Sequence, residues 1–126
     1  MAKKVFCYEI PIELGDHVIY LVLANGQKLA DSYIKKNFSI IVNHEESDEE
    51  AGAYFVGHAH QLFIYFPPGL GLEYLVHELV HLYKYMMKRM GTVQDEEGEA
   101  YIKQLIFKKM LDKLIETNHI SVVYSN

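Results

Sequence analysis

Residues 72–90 read LEYLVHELVHLYKYMMKRM, with apolar side chains recurring at spacings of three and four. That period stacks side chains along one face of an α-helix, so the stretch predicts an amphipathic helix. Leu72, Leu75, Leu79, Leu82, Tyr83 and Met86 form the apolar stripe, centred about 200° around the helix from His77. A stripe this wide has to be buried, which requires a second apolar surface elsewhere in the chain. Gly91 can close the helix in the left-handed conformation that glycine adopts at low cost. Asp95 opens a second helical stretch running to about Glu116, its carboxylate placed to accept from the Glu97 or Gly98 amide.

The earlier residues supply the apolar surface as short strands. Val5–Leu14 alternates loosely around Pro11, which lacks a ladder donor, so an edge or broken strand is expected. His17–Leu23 (HVIYLVL) is rich in β-branched and aromatic residues and predicts a central strand. Gln27–Lys36 has helical spacing at Leu29, Ala30, Tyr33 and Ile34, with Asn25 as the expected N-cap. Phe38–Val42 reads as another strand. Ala53–Val56 and Gln61–Phe66 read as a hairpin around Gly57-His58-Ala59-His60, stopped by Pro67-Pro68-Gly69. His119–Tyr124 is expected to add a last strand. The class predicted is α+β: a small twisted, mostly antiparallel sheet, then the helix of residues 72–90 and a C-terminal helix. The 126 residues fit one domain, 1–126, with no repeat or linker.

Several functions are disfavoured by composition. Half the residues are hydrophobic, so a core can form and wholesale disorder is not expected. A net charge of −5 without a basic block argues against a nucleic-acid partner. The acidic run His44–Glu50 reads as a solvated loop. No apolar run approaches membrane-spanning length, so no membrane partner is expected. Cys7 is the only cysteine, which points to a reducing, cytoplasmic compartment.

Seven histidines in a chain this short call for an explanation. His77-Glu78-Leu79-Val80-His81 is H-E-x-x-H within the predicted helix. His81 sits about 40° from His77 and one turn along, so both imidazoles can reach one metal ion at roughly 2.0–2.1 Å. Glu78, about 100° away, can flank that ion without ligating it. Roughly 0.04 such matches are expected by chance from this content of histidine and glutamate, so context has to contribute. The motif falls on the side of the helix away from the leucine stripe, where core histidines would not stand. A catalytic site needs a third donor, and Asp95, Glu96, Glu97 and Glu99 follow the turn at Gly91. Helix N-terminal acidity accounts for some of these acids. His58 and His60 form an H-x-H that reads as a turn. His17, His44 and His119 read as structural or exposed. The strand Gln61–Phe66 lies just before the motif, and a resemblance to zincin-like folds would make it an edge that pairs with extended substrate.

HELVH followed by Glu99, eighteen positions after His81, resembles the gluzincin arrangement of zinc metallopeptidases. More narrowly, the order GHAHQLFIYFPPG, HELVHLYKYM, DEEGEAYIKQL is similar to that of small metallopeptidases encoded by bacteriophages and prophages, over about residues 50–112. The resemblance implies a reduced zincin-like fold and Zn2+ held by His77, His81 and Glu99, with Glu96 an alternative third ligand. It further implies Glu78 as general base and a peptide or protein substrate. Larger members of the class carry a second subdomain, for which this chain leaves no room. The chemistry implied is metal-assisted hydrolysis, in which Glu78 takes a proton from an activated water and passes it to the leaving amine. Tyr74, Tyr85, Tyr101, His58 and His60 are all candidates to stabilise the oxyanion. A non-catalytic zinc-binding accessory protein, or a hydrolase acting on a non-peptide amide, would use the same motif.

Overall fold

The computed structural model describes residues 4–43, 52–69, 71–92 and 94–119. Strand β1 (Val5–Leu14) and strand β2 (His17–Ala24) form an antiparallel hairpin turned at Gly15, which takes a φ of 62°. Their register holds from Val5↔Ala24 to Ile10↔Ile19, slips, and resumes at Leu14↔His17. The slip begins beside Pro11, which has no N–H to give to the ladder. Helix α1 (Gln27–Phe38) follows, then a second antiparallel hairpin of β3 (Tyr54–His58) and β4 (Gln61–Tyr65), then helices α2 (Leu72–Met90) and α3 (Glu96–Glu116). The sheet order is β1-β2-β4-β3, parallel only where β2 meets β4. The architecture is therefore α+β, with a mostly antiparallel sheet and three helices among the described residues.

Strand alternation sorts side chains onto two faces. Ile19, Leu21, Leu62 and Ile64 face a core shared with Leu75, Leu82 and Met86 of α2 and with Ile106 and Met110 of α3. Val22, Ala24, Phe63 and Tyr65 face the other way, against Ala30 and Ile34 of α1. The inner strands β2 and β4 are thus covered on both faces, which explains why each reads as a nearly unbroken apolar run. Leu75, Leu82 and Met86 are fully buried, and each such side chain contributes about 1.5–3 kcal/mol by leaving water.

Both long helices keep the boundaries expected from the sequence. Gly91 closes α2 at a φ of 65°, and Asp95 Oδ1 accepts from the Gly98 amide at 2.7 Å to cap α3. Three local expectations are corrected. Gly26, not Asn25, is the N-cap of α1. Its φ of 127° suits glycine, and its N–H donates to the Tyr65 hydroxyl at 3.1 Å instead of a side chain capping the helix. Phe38–Val42 is not a strand: Phe38 ends α1, and Ser39 caps it at a φ of 59°. The apolar run instead covers the sheet, with the Phe38 ring 4.9 Å from those of Tyr20 and Phe63 and with Ile40 buried beside them. The third concerns Gln61–Phe66, of which Gln61–Tyr65 is the interior strand β4; β3 and β1 are the outer strands. The acidic run 44–50 and residues 120–124 of the expected last strand lie outside the described residues.

Two of the remaining histidines brace the fold. His17 is buried; Arg89 Nε donates to its Nε2 at 3.2 Å, leaving Nδ1–H to donate to the Leu14 carbonyl at 3.1 Å. That ties the β1–β2 turn to the end of α2. His119 Nε2 lies 2.9 Å from the Tyr8 hydroxyl, with Phe6 edge-on to its ring, and joins the end of α3 to β1.

Candidate metal centre

The apolar stripe of α2 rests on β3, β4 and α3, and this fixes where each residue of the motif points. His77 and His81 are exposed on the side away from the sheet. Their ring centres are 5.1 Å apart, with the planes inclined by 72°. The two imidazoles, one turn apart, are the donor type that zinc takes.

Glu78 departs from expectation. It is only 8 % exposed, although the motif as a whole reads as lying on the outer face. At 100° from His77 it borders the stripe, with the fully buried Leu75 and Leu82 one turn to either side. Its flank of α2 is the one that Tyr85 packs against β3, where the Tyr85 and Phe55 rings lie 5.6 Å apart. The helical wheel separates polar from apolar residues but does not show that a strand rises along this flank.

Glu99 lies elsewhere. Its carboxylate is 3.1 Å from Lys103 Nζ, and Lys103 sits over the Tyr83 ring at 5.2 Å. Burial, and then the negative charges of Glu99 and Asp95, push the Tyr83 phenol above its ordinary value. Tyr83 is about 140° around α2 from the midpoint of the histidine pair. The structure thus brings Glu99 to the α3 side of α2 and the pair to its outer side. Glu96 and Glu97 are exposed on the first turn of α3, and Asp95 is committed to the cap. Among the described residues, no group of three His, Cys, Asp or Glu side chains is arranged to hold a metal.

The H-x-H residues divide between elements. His58 ends β3, and His60 lies in the turn after Ala59, which takes a φ of 52°. By alternation His58 shares a face with Tyr54 and Val56, which pack on the α1 side of the sheet, opposite α2. Of the tyrosines considered, Tyr85 donates to the Ala59 carbonyl at 3.0 Å, while Tyr74 and Tyr101 are exposed. Tyr74 stands on α2 one turn before Glu78. Tyr85 is among the sequence candidates, but its packing on Gly57 of β3 has no counterpart among the sequence expectations. The only local signal was a glycine inside an otherwise apolar strand, which marks a close approach. No helix among the described residues is long and apolar enough to cross a membrane. No family model, no curated protein and no solved structure matches the chain.

Proposed function

We propose that this chain is a zinc-dependent hydrolase of minimal zincin-like design, acting on peptide bonds. The observation that carries the reading is the pair His77/His81: two exposed imidazoles one turn apart, with ring centres 5.1 Å apart, on a helix packed against the sheet. The donor set of imidazoles with a carboxylate nearby suits zinc. When bound, the ion supplies Lewis acidity, acidifying water and polarising a carbonyl.

The protein groups do the rest. His77 and His81 would hold the ion on the outer face of α2. Glu78, next to His77 and partly shielded from water, accepts the proton of the attacking water and delivers it to the leaving nitrogen. Shielding strengthens its interaction with a nearby positive charge. Among the described residues β3 is the outer strand on this side of the sheet, and an outer strand can add an extended peptide by main-chain hydrogen bonds. Glu99, the third donor implied by the resemblance, joins the pair only by leaving Lys103. Breaking that partly exposed ion pair costs about 0–1 kcal/mol, and the carboxylate has then to pass from the α3 side of α2 to its outer side.

The test is turnover of a peptide library by zinc-loaded protein. Wild type cleaves, Glu78→Gln binds zinc without cleaving, and His77→Ala does neither. Wild type that binds one zinc and cleaves nothing overturns the hydrolase reading. It leaves a second one, a non-catalytic metal-binding recognition protein, which the engagement of Glu99 with Lys103 favours.

A further inference from the structure

Asn25 is the one asparagine of the chain that a glycine follows. Such a pair carries its own reactivity, because the glycine nitrogen can reach the asparagine side-chain carbonyl with no Cβ in the way. Gly26 is not freely exchanged for another residue: its φ of 127°, where β2 gives way to α1, lies in the region that favours glycine. Asn25 and Gly26 are both exposed, and a Cβ on Gly26 would meet nothing within 4 Å, so water reaches them. A buried group stands on the other side. The Tyr65 hydroxyl of β4 accepts from the Gly26 N–H at 3.1 Å and donates to the Ala24 carbonyl at 3.3 Å. These two groups belong to the peptide planes on either side of Asn25, so one oxygen fixes both. Tyr65 is itself 2 % exposed, with its ring 5.1 Å from that of Tyr54. Burial raises its phenol above the ordinary value, so the hydroxyl keeps its proton in mildly alkaline solution.

We propose that Asn25–Gly26 is a site of self-modification to aspartate and isoaspartate, and that the Tyr65 hydroxyl is the clamp that holds the reaction back in the folded chain. The Gly26 nitrogen attacks Cγ of Asn25, a nitrogen–carbon bond forms, the proton of that nitrogen passes through solvent to the leaving amide nitrogen, and ammonia departs. Water then opens the cyclic imide at either carbonyl. One water is consumed, one ammonia is released, and nothing is oxidised or reduced. Ring closure needs the Gly26 nitrogen to give up its proton and the peptide plane after Asn25 to turn onto the side chain. The clamp opposes both, because it engages the N–H and ties the planes before and after Asn25 to one buried oxygen. The product places a new carboxylate just before α1, whose N-cap has no side-chain bond and whose first turn has no acid, a position where negative charge is favoured. The isoaspartate form also lengthens the main chain by one methylene between the two groups that the hydroxyl joins. None of this depends on the metal site or on the hydrolase reading.

The experiment keeps the full chain in mildly alkaline buffer, folded or in concentrated urea, and follows conversion at Asn25 by peptide mass spectrometry. Two net hydrogen bonds hold the folded rate roughly 10- to 100-fold below the unfolded one. Tyr65→Phe keeps the ring and removes the hydroxyl, so conversion in the folded variant rises toward the unfolded rate. Amide hydrogen exchange at Leu82 of α2, read in parallel, reports global opening, and the gain at Asn25 exceeds the gain there. In wild type the Gly26 amide exchanges slowly although its residue is exposed, a readout that needs no variant to fold. No conversion at Asn25 in urea overturns the modification site. Equal folded and unfolded rates, or a Gly26 amide that exchanges without protection, overturn the clamp. A folded Tyr65→Phe chain converted at the wild-type rate, or faster only in step with Leu82, overturns the role of the hydroxyl.

Discussion

If the proposed site takes zinc, the metal raises the melting temperature of this chain by an amount that can be worked out in advance. His77 and His81 become a pair only when α2 is helical, so the ion binds the folded chain and not the unfolded one. Above the dissociation constant, each tenfold rise in zinc then adds about 1.4 kcal/mol of stability. An unfolding entropy of about 2.1 cal/mol/K per residue gives about 0.26 kcal/mol/K for 126 residues. The melting temperature therefore climbs by about 5 °C per decade of zinc. Calorimetry over three decades of zinc reads the slope directly. His77→Ala and His81→Ala abolish it, and Glu78→Gln keeps it because Glu78 is not a donor. Glu99→Gln leaves the onset of the rise unchanged if Glu99 stays on Lys103, and an onset moved to higher zinc would show that the carboxylate crosses to the ion. A melting temperature that does not respond to millimolar zinc, or an equal slope in the double histidine variant, would refute the metal site.

Other predictions concern the frame. Met86→Ala empties a fully buried position and costs about 2–5 kcal/mol, read as a lower urea midpoint. Asp95→Ala removes the bond to the Gly98 amide and costs about 1 kcal/mol in the same assay. Tyr54 donates to Asp31, and burial, then that hydrogen bond and charge, push its phenol far above its ordinary value. The unfolded chain then ionises first, so this stabilisation is complete below about pH 10 and is lost as the pH rises beyond it. Urea titrations from about pH 9 to 11 show a shallower alkaline decline in Tyr54→Phe.

What could be read from the sequence follows from how local each determinant is. The boundaries of α2 and α3 are set by a periodic stripe and by Gly91 and Asp95, all within a few residues of the ends they define. The two hairpins are equally local. Phe38–Val42 was misread because a five-residue apolar run looks the same whether it joins a sheet or lies across one; here the ring cluster of Tyr20, Phe38 and Phe63 decides. The interior place of β4 depends on its pairing with β2, which leaves no mark in either segment beyond their shared hydrophobicity. The motif itself was legible, but the burial of Glu78 and the commitment of Glu99 to Lys103 depend on β3 and α3, whose placement no spacing rule contains.

The pieces that build the candidate site, the β3–β4 hairpin and α2, all fall between Tyr54 and Met90. They meet the rest of the sheet through the β2–β4 ladder, in which Val18 pairs with Gln61, 43 positions away. Closing so long a loop carries an entropic cost before any of its hydrogen bonds form, whereas a hairpin and an adjoining helix close short ones. In kinetic terms, the stretch that holds the candidate site can organise early, and the parallel ladder then locks it in place. Weakening the β2–β4 ladder should therefore show mainly as faster unfolding, and weakening the packing between β3, β4 and α2 as slower folding.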